Sequence, residues 1–426
     1  MPNDWIVEER CPQCGAPVSM HEADRILVCA YCKVRLYVLG GDPPKFCLPV
    51  KPAPVGEIVM VPYWRLRASR YRVTASGVRA SAADCTALAS EAPQLPSSLG
   101  VRAQAVPLRF ASPTVEGRFL PVTRTQDLVF DRLARLSRVE QAFAGAAVGG
   151  DGDGGRATPF EANLARAASL VYAPVRVARS VFDAVLNRRI AGIDGDAWKG
   201  SVGGVDDRPA PVRFVATLCP ECGWQLEGDA DTLVMLCVNC GRGWRAGDGR
   251  LVPAAFDTLP ADGWKPDAHL PFWRVEAPIA PTWADLVRLA NLPRVVQAEW
   301  EREPAGFWFP AFDAPPEPFL RMAQTMTCAR PHVGPPPASS LAGSVEAPPR
   351  PPVLLRARAV VLPERALGDA LLVLLASLGR TRRNIRDALR EPGMRVDTSR
   401  LVYLPVRFNG REHVNPELGI TVPRAR

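Results

Sequence analysis

The sequence predicts an α+β protein of two tandem repeats, each a four-cysteine metal module followed by a small mixed α/β body with proline-containing strands. Three observations predict it. A cassette of four cysteines occurs twice, as Cys11, Cys14, Cys29 and Cys32 and as Cys219, Cys222, Cys237 and Cys240. The spacing is C-x2-C-x14-C-x2-C both times, at an offset of 208 residues. Landmarks that follow the first cassette recur in the same order after the second. The chain also holds 44 prolines and 33 glycines, which favours strands and turns over long helices.

Each cassette opens its repeat. A Cys-x2-Cys turn aims two thiolates at one ion, and two such turns on facing hairpins close a tetrahedron of soft ligands that suits Zn2+. Gly15, Gly223 and Gly241 follow a cysteine and allow the positive φ that a metal knuckle needs. Lys33 stands where glycine would follow Cys32, which loosens that knuckle. Pro12 and Pro220 stiffen the first turns. Strand-like Ile26-Leu27-Val28 leads into Cys29, and Leu233-Val234-Met235-Leu236 leads into Cys237. With four protein thiolates, no position stays open for water or substrate, so both sites read as structural, with two Zn2+ per chain. Spacing alone leaves two rivals: disulfides, which need an oxidising compartment, and iron. Cys47, Cys85 and Cys328 have no neighbours at ligand spacing and read as small buried hydrophobes.

The bodies come next. Val61-Pro62-Tyr63-Trp64-Arg65-Leu66 is answered by Leu270-Pro271-Phe272-Trp273-Arg274-Val275 at an offset of 209. Leu170-Val171-Tyr172-Ala173-Pro174-Val175 is answered by Leu401-Val402-Tyr403-Leu404-Pro405-Val406 at an offset of 231. Between them, Leu120-Pro121 and Leu362-Pro363 match at an offset of 242, each ahead of a helix-like stretch. Each half therefore reads as metal module, Pro-aromatic-Trp-Arg strand, helix, then Leu-Val-Tyr-x-Pro strand. Proline cannot donate to a ladder, so these strands are expected at edges, bulges or strand ends. The expected boundaries are 1–48 and 208–257 for the metal modules and 49–207 and 258–426 for the bodies. A glycine-rich loop spans 145–155, and a Pro-rich, flexible insertion spans 330–352.

Function is less legible. The formal charge is +8, with 5 lysines against 47 arginines, a skew that reads as coding bias rather than nucleic-acid binding. The basic excess sits in residues 353–426, with 14 arginines against 7 acids. There Arg382, Arg386 and Arg390, flanked by Arg380 and Arg383, would share one helix face and could meet phosphates of nucleic acid or anionic lipid. Asp387 and Glu391 interrupt the run, and a solvated face is the plainer reading. Trp64-Arg65 and Trp273-Arg274 admit two readings. They are fold maintenance, with tryptophan in a small core and arginine at its rim, or a binding surface, since Trp and Arg often anchor interfaces.

The common catalytic signatures are missing. There is no Gly-rich loop ending in Lys-Ser/Thr, no Gly-x-Ser-x-Gly and no His-Glu-x-x-His, and His21, His269, His332 and His413 are scattered. The chain is expected not to be an enzyme, and a small-molecule substrate is not expected. The apolar run Leu371–Leu378 is too short to span a bilayer, and early Asp4, Glu8 and Glu9 do not suit a secretory leader. A cytoplasmic location is expected.

Cys11-Pro12-Gln13-Cys14-Gly15-Ala16-Pro17-Val18, with Cys29-Ala30-Tyr31-Cys32, resembles the TFIIB-type zinc ribbons of many bacterial proteins, and Cys219-Pro220-Glu221-Cys222-Gly223-Trp224 is similar. Val61-Pro62-Tyr63-Trp64-Arg65 with Pro96-Ser97-Ser98-Leu99-Gly100-Val101-Arg102-Ala103-Gln104 resembles an uncharacterised zinc-ribbon family of proteobacteria, especially of delta-type lineages. The resemblance implies the ribbon fold and Zn2+ and brings no activity with it. The expected function is a zinc-binding scaffold or adaptor acting through protein–protein interaction. The alternative is a nucleic-acid-binding protein that uses its ribbons and the arginine-rich C-terminal helix. Attachment to anionic membranes through the same arginines is a third reading.

Overall fold

The computed structural model describes residues 5–40, 43–53, 55–74, 77–100, 106–125, 160–247, 249–292, 294–333, 356–379 and 396–423. The helix-like stretch after Pro121, most of the 330–352 insertion, and Arg380, Arg382, Arg383, Arg386 and Arg390 lie outside the described residues. The chain is mostly strand with few helices, an α+β composition. It divides into two compact units. One comprises Met1–Arg67, Ala83–Arg156 and Ala167–Ala216, and the other Ala68–Ala82, Ala157–Arg166 and Thr217–Arg426.

The first unit opens with the antiparallel pair β1 (Ile6–Arg10) and β2 (Pro17–His21), then β3 (Ile26–Val28) and β4 (Arg35–Leu39). In β2, buried Val18 and Met20 alternate with exposed neighbours, the period of a half-buried strand. Next come β5 (Lys45–Cys47), β6 (Glu57–Thr74), β7 (Gly77–Leu88), β8 (Arg109–Phe110), β9 (Arg118–Phe119) and β10 (Phe160–Val177), of which residues 68–74, 77–82 and 160–166 belong to the second unit. The unit closes with β11 (Ser180–Asp183), β12 (Arg188–Asp194), helix α1 (Gly195–Ser201) and β13 (Arg213–Ala216). The main sheet runs β12-β11-β10-β5-β8, with β6 paired to β10, β7 and β9. Residues 58–66 of β6 are buried without a break, the pattern of a strand covered on both faces. Strand β13 pairs with β4, and the last segment of the first unit ends at Ala216. The first ribbon does not stand apart from its body. Val7, Cys11, Met20, Leu27, Cys29 and Val38 share one core with Val59, Val61 and Val171.

The second unit has a three-stranded ribbon sheet of β14 (Val234–Leu236), β15 (Gly243–Gly247) and β16 (Arg250–Ala254). Then follow β17 (Phe256–Thr258), β18 (Ala268–Glu276), α2 (Trp283–Ala290), β19 (Phe307–Pro310), α3 (Pro316–Ala329), α4 (Leu367–Leu378), β20 (Thr398–Phe408), β21 (Glu412–Asn415) and β22 (Ile420–Pro423). Its main sheet runs β19-β18-β20-β21-β22, with β17 beside β20. Helix α2 starts at a reciprocal cap between Thr282 and Asp285 and ends at Asn291 in the left-handed region. Helix α4 is the helix-like stretch expected after Leu362-Pro363. The core of this unit includes Tyr71, Val73 and Leu164 beside Phe272, Trp283 and Phe307, and Tyr71 donates its hydroxyl to the Pro316 carbonyl at 3.0 Å.

One hydrogen-bond pattern occurs in both units. Leu170-Val171-Tyr172 pairs in parallel with Lys45–Cys47, and Leu401-Val402-Tyr403 with Phe256–Thr258. The next amides, Leu48 and Leu259, donate to the Tyr172 and Tyr403 carbonyls, each at 2.9 Å. Ala89 donates to the Pro62 carbonyl and Ala311 to the Pro271 carbonyl, again at 2.9 Å. The Ala89 carbonyl then accepts from Thr123 and Arg124, as the Ala311 carbonyl does from Val361 and Leu362. These bonds set Arg124 against Leu362. The match of Leu120 to Leu362 expected from the shared Leu-Pro dipeptides is therefore four residues out of step.

The prolines also differ from expectation. Strand β18 has a neighbour on each side, yet it holds Pro271. The Pro271 carbonyl faces Ala311, just past the end of the β18–β19 ladder at Pro310, so its missing donor points where pairing has stopped.

Candidate metal centres

Each cassette folds into two knuckles built alike. Cys11 donates its backbone N–H to the Ala16 carbonyl and accepts from Gly15, both at 2.8 Å. Cys29 does the same with Val34 and Lys33, Cys219 with Trp224 and Gly223, and Cys237 with Arg242 and Gly241. The residue that closes each knuckle is left-handed: φ is 73° at Gly15, 60° at Lys33, 72° at Gly223 and 75° at Gly241. Lys33 thus adopts the glycine geometry, and both hydrogen bonds of its knuckle are 3.0 Å long where those of the other three are 2.8 Å.

The sulfurs converge. Cys11 and Cys32 Sγ lie 3.8 Å apart, Cys14 and Cys29 3.7 Å, Cys219 and Cys240 3.6 Å, and Cys222 and Cys237 3.5 Å. All four sulfurs of a set lie within 4.8 Å of one another. A tetrahedron with Zn–S bonds of ~2.3 Å has edges of about 3.8 Å, so the donor sets fit Zn2+. Disulfides need a sulfur separation near ~2.05 Å, and all eleven cysteines are free. Cys11, Cys29, Cys219 and Cys237 are buried, which supplies the dry inner side of each site.

Crowding four thiols separates their acidities. Backbone N–H groups, chiefly that of Cys32, pull Cys29 down to about 6. The Asn239 side chain, then the Trp224 N–H, pull Cys222 down to about 6. Burial, joined by hydrogen bonds with Cys222 and Cys240, pushes Cys237 up to about 12. At Cys32 the Val34 N–H lowers the value, but desolvation and the other three sulfurs outweigh it and the thiol rises to about 12. These are properties of metal-free thiols. Zn2+ would hold all four as thiolates and displace the remaining protons.

No family model matches the chain, no curated protein is similar to it and no solved structure matches it. The sites are therefore read from their own residues.

Trp64, Arg65 and Trp273 are buried, and Arg274 is half-buried. Trp64 and Trp273 are 6% exposed. Trp64 donates its indole N–H to the Arg124 carbonyl at 2.6 Å, and Trp273 to the Leu362 carbonyl at 2.9 Å. Arg65 is 1% exposed and forms ion pairs with buried Glu22 and with Asp84, the latter at 2.9 Å. Ser169 donates a second hydrogen bond to Glu22, and the Arg65 guanidinium stacks over Trp5 at 3.9 Å. Arg274 pairs with Glu276 at 2.6 Å and lies against the Gly306 backbone. A binding surface made from Trp64, Arg65 and Trp273 is not what this geometry offers, because each side chain is committed inward. The arginine is also deeper than the rim expected for it. Cys47 is buried and its thiol pushed up to about 12, which keeps it protonated and inert.

The exposed apolar groups lie elsewhere. Val28 and Tyr31 in the first ribbon and Leu218 and Trp224 in the second are large apolar side chains beside metal knuckles, each about half exposed or more. Sequence matching passes over them because they differ between halves: Ala16 stands where the second cassette has Trp224. Among the described residues, the two cysteine sets are the groupings of metal-ligand side chains. No helix among the described residues is long and apolar enough to cross a membrane.

Proposed function

We propose that this chain is a non-enzymatic, zinc-stabilised scaffold or adaptor, and that its partner is another protein met at the ribbon tips. The carrying observation is the closure of both metal sites: four protein thiolates surround each, so a bound ion has no coordination position for chemistry. Aromatic side chains held at rigid knuckles, Tyr31 and Trp224, support a docking role, since rigid exposed aromatics cost little entropy on binding. We take the two halves to descend from one duplicated unit. The shared hydrogen-bond pattern around Pro62 and Pro271, and around Tyr172 and Tyr403, supports this reading. Metal-bound thiolates suit a reducing compartment, and we place the protein in the cytoplasm.

Affinity capture of tagged full-length chain from its native host tests the proposal. A protein retained by wild type and lost from a Tyr31→Ser/Trp224→Ser variant of unchanged zinc content supports it. Retention of the same proteins by both chains refutes the ribbon-tip surface. Tight association with DNA or RNA that weakens steeply with salt would replace the proposal with the nucleic-acid reading.

A further inference from the structure

The two metal sites are alike inside and unlike outside. In the first ribbon the ligands Cys11 and Cys29 belong to the same core as Val59, Val61 and Val171 of the body. The hairpin is then fastened several times. Glu22, one residue past β2, is buried and held by Arg65 of β6 and Ser169 of β10. Strand β13 zips along β4 over four residue pairs, Arg213–Ala216 against Leu36–Leu39. The Leu108 N–H donates to the Ile6 carbonyl at 2.7 Å, and Glu8 returns a bond to the Leu108 carbonyl at 2.9 Å.

The second ribbon is held differently. Its Leu226, Met235 and Trp244 are buried with Cys219 and Cys237, but none of the five belongs to the main core of the unit. Val234 does belong, Leu233, Leu236 and Ala254 pack against it, and the Leu233 N–H donates to the Val360 carbonyl at 2.7 Å. Arg245 reaches Glu364 at 3.5 Å, but both side chains are about half exposed, where an ion pair contributes little. The position matching Glu22 is Ala230, an uncharged residue. Arg274, the match of Arg65, pairs with Glu276 on its own strand instead.

We propose that the two metals do different work. The first site is a part of the core of its unit, and its metal leaves when that unit unfolds. The second site is exchangeable, and its metal folds a ribbon that can open while the body beneath it stands. Metal binding at a ribbon is coupled to folding of whatever the ligands hold together. At the first site that is a whole unit, and at the second it is a three-stranded sheet whose metal ligands lie outside the unit's main core. Local opening is easier where fewer buried contacts must break. Trp224 rides on the second ribbon, so its presentation would follow metal supply. This inference rests on both sites holding Zn2+.

The test uses full-length, zinc-loaded protein and a chromogenic chelator, with zinc release and tertiary circular dichroism followed together. Wild type should lose one zinc at least about tenfold faster than the other, with the fold retained through the fast phase. Cys222→Ser should abolish the fast phase and leave the main melting transition in place. Cys14→Ser, its match in the first cassette, should remove the slow phase and lower or abolish that transition. A single release rate for both zincs, loss of the fold during the first release, or equal melting shifts in the two variants would overturn the proposal. Wild-type protein carrying fewer than two zincs would instead overturn the metal assignment beneath it.

Discussion

Arg65 offers the most demanding test of how the first ribbon is held to its body. Its guanidinium is 1% exposed and lies between Glu22, itself 6% exposed at its side chain, and Asp84, which is 39% exposed. Replacing Arg65 with methionine keeps the stem's packing and removes the charge. Glu22 is then a buried carboxylate whose remaining tie in this cluster is the Ser169 hydroxyl. Removing one partner of a buried pair costs about 3–5 kcal/mol, because the other charge stays desolvated without compensation. For a unit of this size each kcal/mol lowers the melting temperature by about 2–4 °C, so R65M should melt about 6–20 °C below wild type. Asp84→Asn touches the exposed arm of the same arginine and should cost about 1 kcal/mol or less. A double variant, Glu22→Leu with Arg65→Met, removes both charges and should recover a large part of the loss. Scanning calorimetry of the four proteins decides the matter. If R65M melts within a degree or two of wild type, or the double variant is no more stable than R65M, the buried clamp does not fasten the ribbon.

The knuckles give a second prediction. A Cβ at Gly223 meets nothing within 4 Å, so Gly223→Ala should cost about 1–2 kcal/mol from the positive φ alone, and Lys33→Gly should gain up to about 1 kcal/mol by releasing the same strain. Denaturant titrations of zinc-loaded protein check both. Trp64→Phe and Trp273→Phe each leave a carbonyl without its indole donor and should each destabilise by about 1–3 kcal/mol, while capture of a partner at the ribbon tips stays intact. Zinc affinity should rise with pH. In the metal-free sites Cys32 and Cys237 stay protonated up to about 12, so the ion must displace those protons throughout the neutral range. Competition with a chelator between about pH 6 and pH 8 should show steadily tighter binding, and a flat profile would contradict the thiol set as ligands.

The two cysteine sets were legible because coordination chemistry constrains spacing directly. Four thiolates at C-x2-C intervals have few other uses, and the glycines beside them mark the knuckles. Lys33 takes the same left-handed geometry as the glycines, with knuckle hydrogen bonds of 3.0 Å against 2.8 Å elsewhere, in keeping with the slight loosening expected there. Local matching also located the paired strands around Trp64 and Trp273, and it placed Leu170-Val171-Tyr172 and Leu401-Val402-Tyr403 in equal registers. It slipped by four residues at Leu120, where a Leu-Pro dipeptide recurs by chance and the backbone bonds fall on Thr123 and Arg124 instead. The roles of Trp64 and Arg65 were not legible, because burial and the distant partner Glu22 are products of tertiary packing. Helices α2 and α3 did carry local signals. Thr282 and Asp285 make a reciprocal cap, and Phe319, Leu320, Met322, Ala323 and Met326 form a helical face behind Pro316. Matching between halves passes over both helices, since the first half has the long β6–β7 pair in that interval.

Two closed, four-thiolate zinc sites in one chain are tested most directly by metal analysis of protein purified without added metal. Elemental mass spectrometry should find two zinc atoms per chain, with the eight cassette thiols unreactive to alkylation until a chelator is added. Iron in place of zinc, fewer than about one zinc per cassette, or cassette cysteines recovered as disulfides would contradict them.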